Sequence, residues 1–364
     1  MKQAYIMAVM TFYLLFSCSG KSEQEGSEQH TTSGKKEGNT LILQKTTEAR
    51  ERAFTFLLPK GWIVEGGILR VDPNAAGGPA QAIEAKVDMT ISKDPQRRVM
   101  TRWLPDLFYI DMSGQPAAGM FPIGSTNNGM IVMPKMNASS YLQRVVFPYL
   151  HPSATEVKIL EEKPAPGLVD IMRREDWVIQ IPLQYDAASL LVQYAENGVT
   201  YKEAMVSGIM DFGMYGAGTW KNRHCFVYRA PAAEFDQWRG PFSLILNSVR
   251  LNPEWVKREI QFQISAGRFV VQTQAELQRI EQEIHNSHQR TNSEIMNDAY
   301  LNLTGKEEYV NPFTRETEIG TNEYNYRWQN EQGDIIYTDN MNYNPNQDPS
   351  LQVQGFQKSQ PRKR

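Results

Sequence analysis

Cysteine is almost missing from this chain of 364 residues, which contains only Cys18 and Cys225. A disulfide framework and a paired-cysteine zinc motif are therefore excluded, and stability must come from packing. The formal net charge is −3 at pH 7, so the chain also lacks the basic excess that a nucleic-acid surface needs. We expect a folded protein with a real apolar core and no nucleic-acid partner, since 41% of its residues are hydrophobic.

Catalytic signatures are missing as well. The sequence has no G-x-S-x-G elbow and no Walker-type phosphate loop, and the glycines of "GMYGAG" have the wrong spacing for a dinucleotide loop. His224 and Cys225 are adjacent in a predicted strand, where neighbouring side chains point to opposite faces and cannot form a nucleophile–base pair. We therefore predict no cofactor, and a non-catalytic role is the first hypothesis.

The N-terminal residues have the features of a targeting signal. After Lys2, an apolar run from Ala4 to Phe16 has the length of the hydrophobic region of a secretory signal, about 7–15 residues. It ends in Leu15-Phe16-Ser17-Cys18, which resembles the lipobox of bacterial lipoproteins. The resemblance implies a signal peptide over residues 1–17 and lipidation of Cys18. The alternative is a buried cysteine at the end of an anchor helix, which the polar tract after it disfavours.

We expect residues 18–48 to form the lipid anchor and a disordered tether. The tether is predicted because Ser, Gly, Glu, Lys, Gln and Thr dominate this segment until Leu41. A tether of this kind would hold a folded domain off a membrane surface. Ser19 follows the anchor cysteine, whereas enterobacterial lipoproteins that stay on the inner membrane have Asp there. We therefore expect a cell-envelope lipoprotein on the outer membrane or cell surface rather than on the inner membrane.

Residues 49–251 predict an α+β domain with a mainly antiparallel sheet. The strongest local signal is Asn197-Gly198 between two β-rich runs, since a type I′ hairpin turn needs φ > 0 at both positions. "FTFLLPKGWIVEGG" and "PFSLILNSVRLNPEW" resemble the start and end of a PsbP-type domain, and the sequence is similar to uncharacterised bacterial secreted proteins. That resemblance implies an α/β/α sandwich that serves as a binding or assembly module.

The remaining third divides into three predicted parts. Residues 252–305 are rich in helix formers and lack proline after Pro253, so they predict a helical segment that Gly267 divides in two. Residues 306–345 predict a C-terminal β-hairpin region. The Asn- and Pro-rich end, residues 346–364, predicts a disordered tail.

Two groups of polar residues are candidates for ligand chemistry. Glu281, His285 and His288 are spaced by four and three residues, so a helix would present them on one face as metal ligands. The polar composition around them favours a solvated face instead. The acidic runs Glu161-Glu162 and Glu175-Asp176 are likewise interpreted as solvated surface.

The predicted late hairpin offers a candidate binding surface for a glycan or an envelope protein. Its first strand contains Tyr324, Tyr326 and Trp328 at every second position, so the three side chains would share one face of the strand. A loop at 330–333 would place Tyr326 opposite Tyr337 and Trp328 opposite Ile335. Such a stripe can stack on sugars or extended peptides. It can equally fasten the hairpin to the domain, which is the favoured interpretation because a lone hairpin must bury one face.

Together these patterns predict a non-catalytic envelope lipoprotein that binds a partner or ligand at the membrane surface. The alternative is an envelope hydrolase whose site is assembled from residues scattered along the chain. A deep pocket that gathers acids or histidines with shifted pKa values would favour the hydrolase, and shallow grooves would favour the binding protein.

Overall fold

The computed structural model of the protein describes residues 40–115, 118–176, 182–265, 274–298 and 306–362. The structure is 27% helical and 38% strand, and its sheets are antiparallel and curled. The predicted α+β class is therefore confirmed.

The elements are named here in chain order. The first part of the chain contains β1 Thr40–Thr47, β2 Phe54–Pro59, β3 Ile63–Leu69, β4 Lys86–Ser92, β5 Met100–Trp103, β6 Phe108–Ile110, β7 Thr126–Asn127, β8 Met130–Val132, α1 Ala138–Tyr141, a π-helical turn Leu142–Val146 and α2 Phe147–Leu150. The middle contains β9 Thr155–Pro164, α3 Pro166–Glu175, β10 Gln184–Glu196, β11 Val199–Asp211, β12 Thr219–Pro231, α4 Phe235–Asn247 and β13 Arg250–Leu251. The last part contains α5 Pro253–Ser265, α6 Gln274–Asp298, β14 Lys306–Val310, β15 Thr317–Thr321, β16 Tyr326–Gln329, β17 Ile335–Thr338, β18 Gln357–Lys358 and β19 Gln360–Pro361.

A large sheet organises the fold, with the order β3-β4-β5-β12-β11-β10-β9 and the short strands β6, β7 and β8 beside it. Two of its three longest strands, β10 and β11, form the hairpin predicted at Asn197-Gly198. The two turn residues have φ of 52° and 75°, and Glu196 pairs with Val199 across them. The predicted type I′ turn is confirmed.

Helices cover both faces of this large sheet. On one face, apolar residues of α3, α4 and α6 share a core with Val206, Phe226 and Tyr228 of the sheet. On the other face, α1 and the π-helical turn pack Tyr141 and Leu142 against a second cluster of sheet residues. Long strands of Val, Ile, Met and aromatic residues are expected where both faces are buried, because neither face has to be polar.

A second sheet joins the two ends of the described chain in the order β13-β2-β1-β17-β16-β18. Strand β1, Thr40–Thr47, lies within the range predicted as tether, and that part of the prediction is wrong. Its residues pair with β2 on one side and with β17 on the other, while Leu43 is fully buried. The last four residues of β1 are all polar and three of them are exposed, so this half of the strand has the composition of a linker.

The C-terminal part is not a separate hairpin. Strand β14 pairs with β15 on one side and with β19 on the other to form a third sheet, whereas β16 and β17 extend the second sheet. The prediction of a disordered tail over residues 346–364 is wrong for its described part, because Phe356 is buried and β18 pairs with β16. All described residues belong to one compact unit, so the predicted boundaries at 252 and 306 separate no domains.

The predicted helical segment 252–305 does contain two helices, α5 and α6. Asn252 caps α5 through its side-chain oxygen, which accepts from the backbone N–H of Glu254 at 3.1 Å, and Pro253 occupies the first helical position. The side chain of Gln289 in α6 donates to the backbone oxygen of Val249 at 3.0 Å, which attaches this helix beside α4. The break predicted at Gly267 lies outside the described residues.

Candidate functional site

A cavity of about 490 Å³ lies between the large sheet and helices α5 and α6. Cavities of about 300–1,000 Å³ are the usual size of small-molecule sites in proteins. One wall comes from β4, β5 and β12, and the other comes from the facing sides of the two helices. Half of the lining residues are apolar, and they include Val87, Trp103, Leu104, Trp255, Val256, Ile260, Ile280, Ile284 and Ile295.

The helical wall follows from spacing that the sequence displays. Val256 and Ile260 are one turn apart on α5, and they contact Ile280 and Ile284, which are one turn apart on α6. Residues four apart lie on the same face of a helix, so each helix turns one apolar stripe toward the cavity. Lys257, Arg258 and Gln282, which lie between these apolar residues in the sequence, are exposed.

A buried carboxylate organises the polar end of the cavity. Glu175, at the end of α3, accepts hydrogen bonds from Arg223 Nη2 at 2.5 Å and His224 Nε2 at 2.8 Å. Its other oxygen accepts from the hydroxyls of Ser287 at 3.0 Å and Thr291 at 2.8 Å, both on α6. One side chain therefore connects α3, β12 and α6, and it uses both oxygens to do so.

The neighbouring acid, Asp176, completes this ion-paired group. It accepts from Arg223 Nη1 at 2.8 Å and from the Tyr185 hydroxyl at 2.9 Å. The interpretation of Glu175-Asp176 as solvated surface is wrong, since their side chains are only 15% and 11% exposed. Paired and hydrogen-bonded carboxylates can be buried in this way because their charge is compensated locally.

His224 reaches the cavity from an irregular point in β12. The register shift between β11 and β12 leaves two residues, His224 and Cys225, opposite the single residue Ser207. His224 has φ of 53°, a left-handed conformation that costs free energy for a residue with a side chain. Bulges of this kind concentrate beside functional sites, where they redirect a side chain out of the normal alternation.

Cys225 has a different environment from His224. It is 2% exposed and belongs to the apolar cluster that also contains Tyr141 and Met205. Burial raises the pKa of its thiol to about 12, so it is not a thiolate at neutral pH. The expectation that the His224–Cys225 pair does not act as nucleophile and base assumed the alternation of a regular strand, and β12 is not regular at these two residues.

Charge at the polar end is set by Glu175. Burial alone would raise the pKa of this carboxyl, but the positive charges of His224 and Arg223 and four hydrogen bonds outweigh burial and hold the pKa far below its ordinary range. His288 on α6 also has a lowered pKa, because burial lowers the pKa of its imidazole to about 4. For a histidine, a lowered pKa favours the neutral form. At neutral pH the cavity therefore contains an anionic Glu175 and a neutral His288.

Lys86 adds a second charged group to the cavity lining. Its ammonium donates to the backbone oxygen of Asp106 at 2.5 Å and lies 3.8 Å from Glu84, and its side chain is fully buried. Glu84 also binds Lys221 at 2.6 Å. Burial lowers the pKa of Lys86, while the charges of Glu84 and Asp106 oppose that effect.

The three residues named as a candidate metal site do not come together around a metal position. Glu281, His285 and His288 all lie on α6 as predicted. Within the described part of the chain, however, no three His, Cys, Asp or Glu side chains are arranged to hold a metal ion. His288 instead accepts a hydrogen bond from the Asn292 side chain at 3.2 Å and lines the cavity.

The structure divides the predicted aromatic stripe between two environments. Tyr326 pairs with Thr338, and Tyr337 pairs with Arg327, one residue away from the predicted register. The loop has three residues and ends in Gly333 at φ of 91°, whereas the prediction assumed a four-residue loop that includes Asn330. A shift of one residue moves a side chain to the other face, so the predicted pairing of Tyr326 with Tyr337 is wrong.

Tyr337 and Tyr324 consequently belong to packing rather than to an exposed surface. Tyr337 is 1% exposed in a cluster with Leu43 and Leu244, and the Tyr324 ring packs 5.6 Å from it. On the other face Tyr326 and Trp328 are half-buried, and the ammonium of Lys358 lies 4.9 and 5.1 Å from their ring centroids. The favoured packing interpretation is confirmed for Tyr337, whereas Tyr324, Tyr326 and Trp328 each keep part of their surface accessible.

The predicted lipidation site, Cys18, lies outside the described residues. Among the helices that the structure describes, none is long and apolar enough to cross a membrane. The sequence matches no protein-family model, and no curated protein matches it either. The cavity and its residues are therefore the observations from which a function has to be argued.

Sequence reasoning missed the central residues of this site. Glu175, His224 and Ser287 are separated by 49 and 63 positions (224 − 175 and 287 − 224) and lie on three different elements. No local spacing connects them, because the contact depends on α3 and α6 crossing the same region of β12. The one available signal was the apolar spacing on α5 and α6. It predicts that each helix has a face directed toward the protein interior, but it does not predict a cavity between those faces and the large sheet.

Proposed function

We propose that this chain is a lipid-anchored cell-envelope protein that binds an amphipathic small molecule. The observation that carries the proposal is the cavity, whose lining combines Trp, Leu, Val and Ile side chains with a compact hydrogen-bonding group around Glu175. Sites for small amphipathic molecules combine these two features, because apolar lining supplies affinity and a few polar groups fix orientation.

The polar end offers specific groups to a ligand. Glu175 is an anion and accepts a hydrogen bond from Nε2 of His224, which leaves Nδ1 of that ring to hydrogen-bond with a ligand hydroxyl or amide. Neutral His288 lies on the opposite wall. The charges of Glu175 and Arg223 are already compensated by each other, so the site favours an uncharged polar group over a free ion.

The experiment is a binding titration with an uncharged naphthylamine fluorophore, followed by displacement with mono-acylglycerols of increasing chain length. Ile284→Trp places a larger side chain in the cavity and should weaken binding by at least about tenfold, the loss of roughly 1.4 kcal/mol. Gln282→Trp, on the exposed side of the same helix, is the matched control and should bind as the natural protein does. Equal binding by the natural protein and by Ile284→Trp would contradict the proposal.

Anchoring is tested separately. Cys18→Ala should abolish incorporation of a radioactive fatty acid in bacteria and move the protein from the detergent phase to the aqueous phase, because several acyl chains hold a lipoprotein firmly. Cys225→Ala is the control and should keep the label. Labelling that persists in Cys18→Ala would refute lipidation at this position, whatever the cavity binds.

An envelope hydrolase is the second candidate, favoured by the hydrogen-bonded pair of Glu175 and His224 at the cavity. Orienting a histidine with a carboxylate is common in acyl-transfer enzymes. Here the hydroxyls of Ser287 and Thr291 donate to Glu175 and not to His224, so neither is placed as an activated nucleophile. Turnover of p-nitrophenyl acyl esters that His224→Gln abolishes would establish the hydrolase, and its absence would favour the binding protein.

The PsbP-type resemblance stays part of this proposal, supported by the antiparallel sheet with helices on both faces. An envelope glycan or protein is a further candidate partner for the outer face of β16, where Tyr326 and Trp328 keep an accessible side. Lys358 already stacks on both rings, so a sugar would have to displace it. Retention on isolated cell-wall material that Trp328→Ala abolishes would favour this second surface.

A further inference from the structure

Two loops lie side by side at one end of the large sheet. One joins β6 to β7 and the other joins β11 to β12, and both leave the sheet at the end where β12 begins. The side chain of Gln115 in the first loop donates to the backbone oxygen of Ala217 in the second at 2.6 Å. The backbone N–H of Asp111 donates to the backbone oxygen of Gly218 at 2.8 Å. These two hydrogen bonds hold the loops together.

The two loops expose large apolar side chains. Among the described residues, the three most exposed large hydrophobic side chains all belong to them: Met214 is 87% exposed, Met120 is 77% exposed and Ile123 is 71% exposed. Tyr215, beside Met214, is 62% exposed. Phe121 packs inward against a small apolar cluster at the ends of β6 and β8, which fixes its loop to the sheet. Apolar residues that are exposed together mark an interaction surface.

Charged side chains are absent from both loops. Residues 112–134 and 212–220 contain no Asp, Glu, Lys or Arg, although these four types make up 22% of the chain. At the base of the loops the charges are paired, since the Lys135 ammonium lies 2.5 Å from an oxygen of Asp211. Moving a charge out of water is costly, so loops without charge can leave water for lipid. Protein interfaces usually combine apolar residues with a polar rim, so this lack of charge favours a lipid surface.

The side-chain types fit the boundary between lipid headgroups and acyl chains. Tyrosine is enriched at headgroup level, and methionine and isoleucine can extend into the acyl region. Peripheral proteins insert apolar groups to about 5–10 Å, while the loop backbone stays among hydrated headgroups because its peptide groups need partners. The chain from Cys18 to Thr40 covers 22 residues (40 − 18) and reaches at most about 75 Å, enough for this end of the sheet to face a membrane.

We propose that the protein docks this end of its large sheet against a lipid bilayer through Met120, Ile123, Met214 and Tyr215. The inserted groups are uncharged, so neutral phosphatidylcholine is sufficient and anionic lipid is not required. The proposal rests on the lipid anchor of the proposed function, which brings the protein to a membrane. It does not depend on what the cavity binds.

A fluorescent label in the β11–β12 loop tests the contact. Residues 19–364 contain the one compact unit that the structure describes. With an N-terminal hexahistidine tag they are held on phosphatidylcholine vesicles by a nickel-chelating lipid, which replaces the anchor, so the result is independent of lipidation at Cys18. A nitrobenzoxadiazole label at Met214→Cys should gain at least about twofold in emission and be quenched by nitroxides on the acyl chains. Cys225 is 2% exposed and stays unlabelled.

Ser153→Cys is the matched control for orientation. Ser153 is exposed and comes just before Thr155, which pairs with Ala195 at the other end of β10. The 13 residues of β10 separate this end from the loops by about 40 Å, so a label at Ser153 should remain in water. Equal signals from the two positions would overturn the proposal. No signal from Met214 would overturn it as well, and would assign the loops to a protein partner.

Removing apolar groups tests the chemistry of the contact. In the chain labelled at position 214, Met120→Ser/Ile123→Ser should reduce the gain in emission at least about twofold, because less apolar surface enters the lipid. Val157→Ser/Ile159→Ser is the matched control, since these two side chains on β9 are each 48% exposed but lie outside the loops. It should leave the gain unchanged. A gain that persists without Met120 and Ile123, or that falls equally in the β9 variant, would refute the docking.

Discussion

Replacing Glu175 by Gln tests the polar end of the cavity most directly. The carboxylate accepts from Arg223 and His224 on one oxygen and from two hydroxyls of α6 on the other. An amide of the same shape keeps one acceptor, and the hydroxyls can turn to accept from its NH₂ group. The variant therefore removes mainly the negative charge that compensates two cationic groups.

The expected cost follows from the burial of the pair. Removing one partner of a buried ion pair costs about 3–5 kcal/mol, because the other charge stays behind uncompensated. Arg223 keeps its contact with Asp176 at 2.8 Å, so we expect the lower end, about 3 kcal/mol. In urea this corresponds to a fall of about 1–2 M in the unfolding midpoint for a slope of about 2 kcal/mol per molar.

The assay is urea unfolding followed by far-ultraviolet circular dichroism at pH 7. Glu283→Gln is the matched control, since Glu283 pairs with Arg290 at 3.3 Å and the two side chains are 34% and 44% exposed. An exposed pair of this kind is worth less than about 1 kcal/mol. If Glu175→Gln costs no more than Glu283→Gln, the buried network does not hold α3, β12 and α6 together and the argument fails.

The pH dependence provides a second readout of the same residue. The pKa of Glu175 is lower in the folded state than in the unfolded chain, so its contribution is complete above the unfolded pKa of about 4.3. It is lost as the pH falls below that value, because the unfolded state then binds more protons. The stability difference between the natural protein and Glu175→Gln should therefore shrink below about pH 4. A constant difference would contradict the ion-pair assignment.

The remaining predictions concern a histidine, a turn and a register. Burial lowers the pKa of His288 to about 4, so the protein should lose up to about 3 kcal/mol as the pH falls from about 6.5 to about 4, and His288→Leu should flatten this loss. Gly198→Val should lower the free energy of unfolding by about 1–3 kcal/mol, because a φ of 75° is strained for a β-branched residue. The added Cβ would have no atom within 4 Å, so the cost comes from the backbone and not from a clash. An unchanged midpoint in chemical denaturation would contradict the type I′ turn. Tyr337→Ala should cost about 3–5 kcal/mol and the half-buried Tyr326→Ala clearly less, and equal costs would argue against the observed register.

Local chemistry in the sequence determined the class of fold and several of its elements. The hairpin at Asn197-Gly198 was predictable because only a turn with two positive φ values joins two long strands through those residues. Helices α5 and α6 were predictable from the three- and four-residue spacing of their Ile and Val residues. Both signals act between neighbours in the chain, so neither depends on where the rest of the protein lies.

Tertiary structure decided what these local signals could not. Residues 40–47 look like linker by composition, but pairing on both sides with Phe54–Pro59 and Ile335–Thr338 makes them a central strand. Glu175 looks like a surface acid until Arg223 and His224, 48 and 49 positions later, reach it from a bulged strand. The free energy of a strand or of a buried charge depends on partners far away in the chain, and only the folded structure brings those partners together.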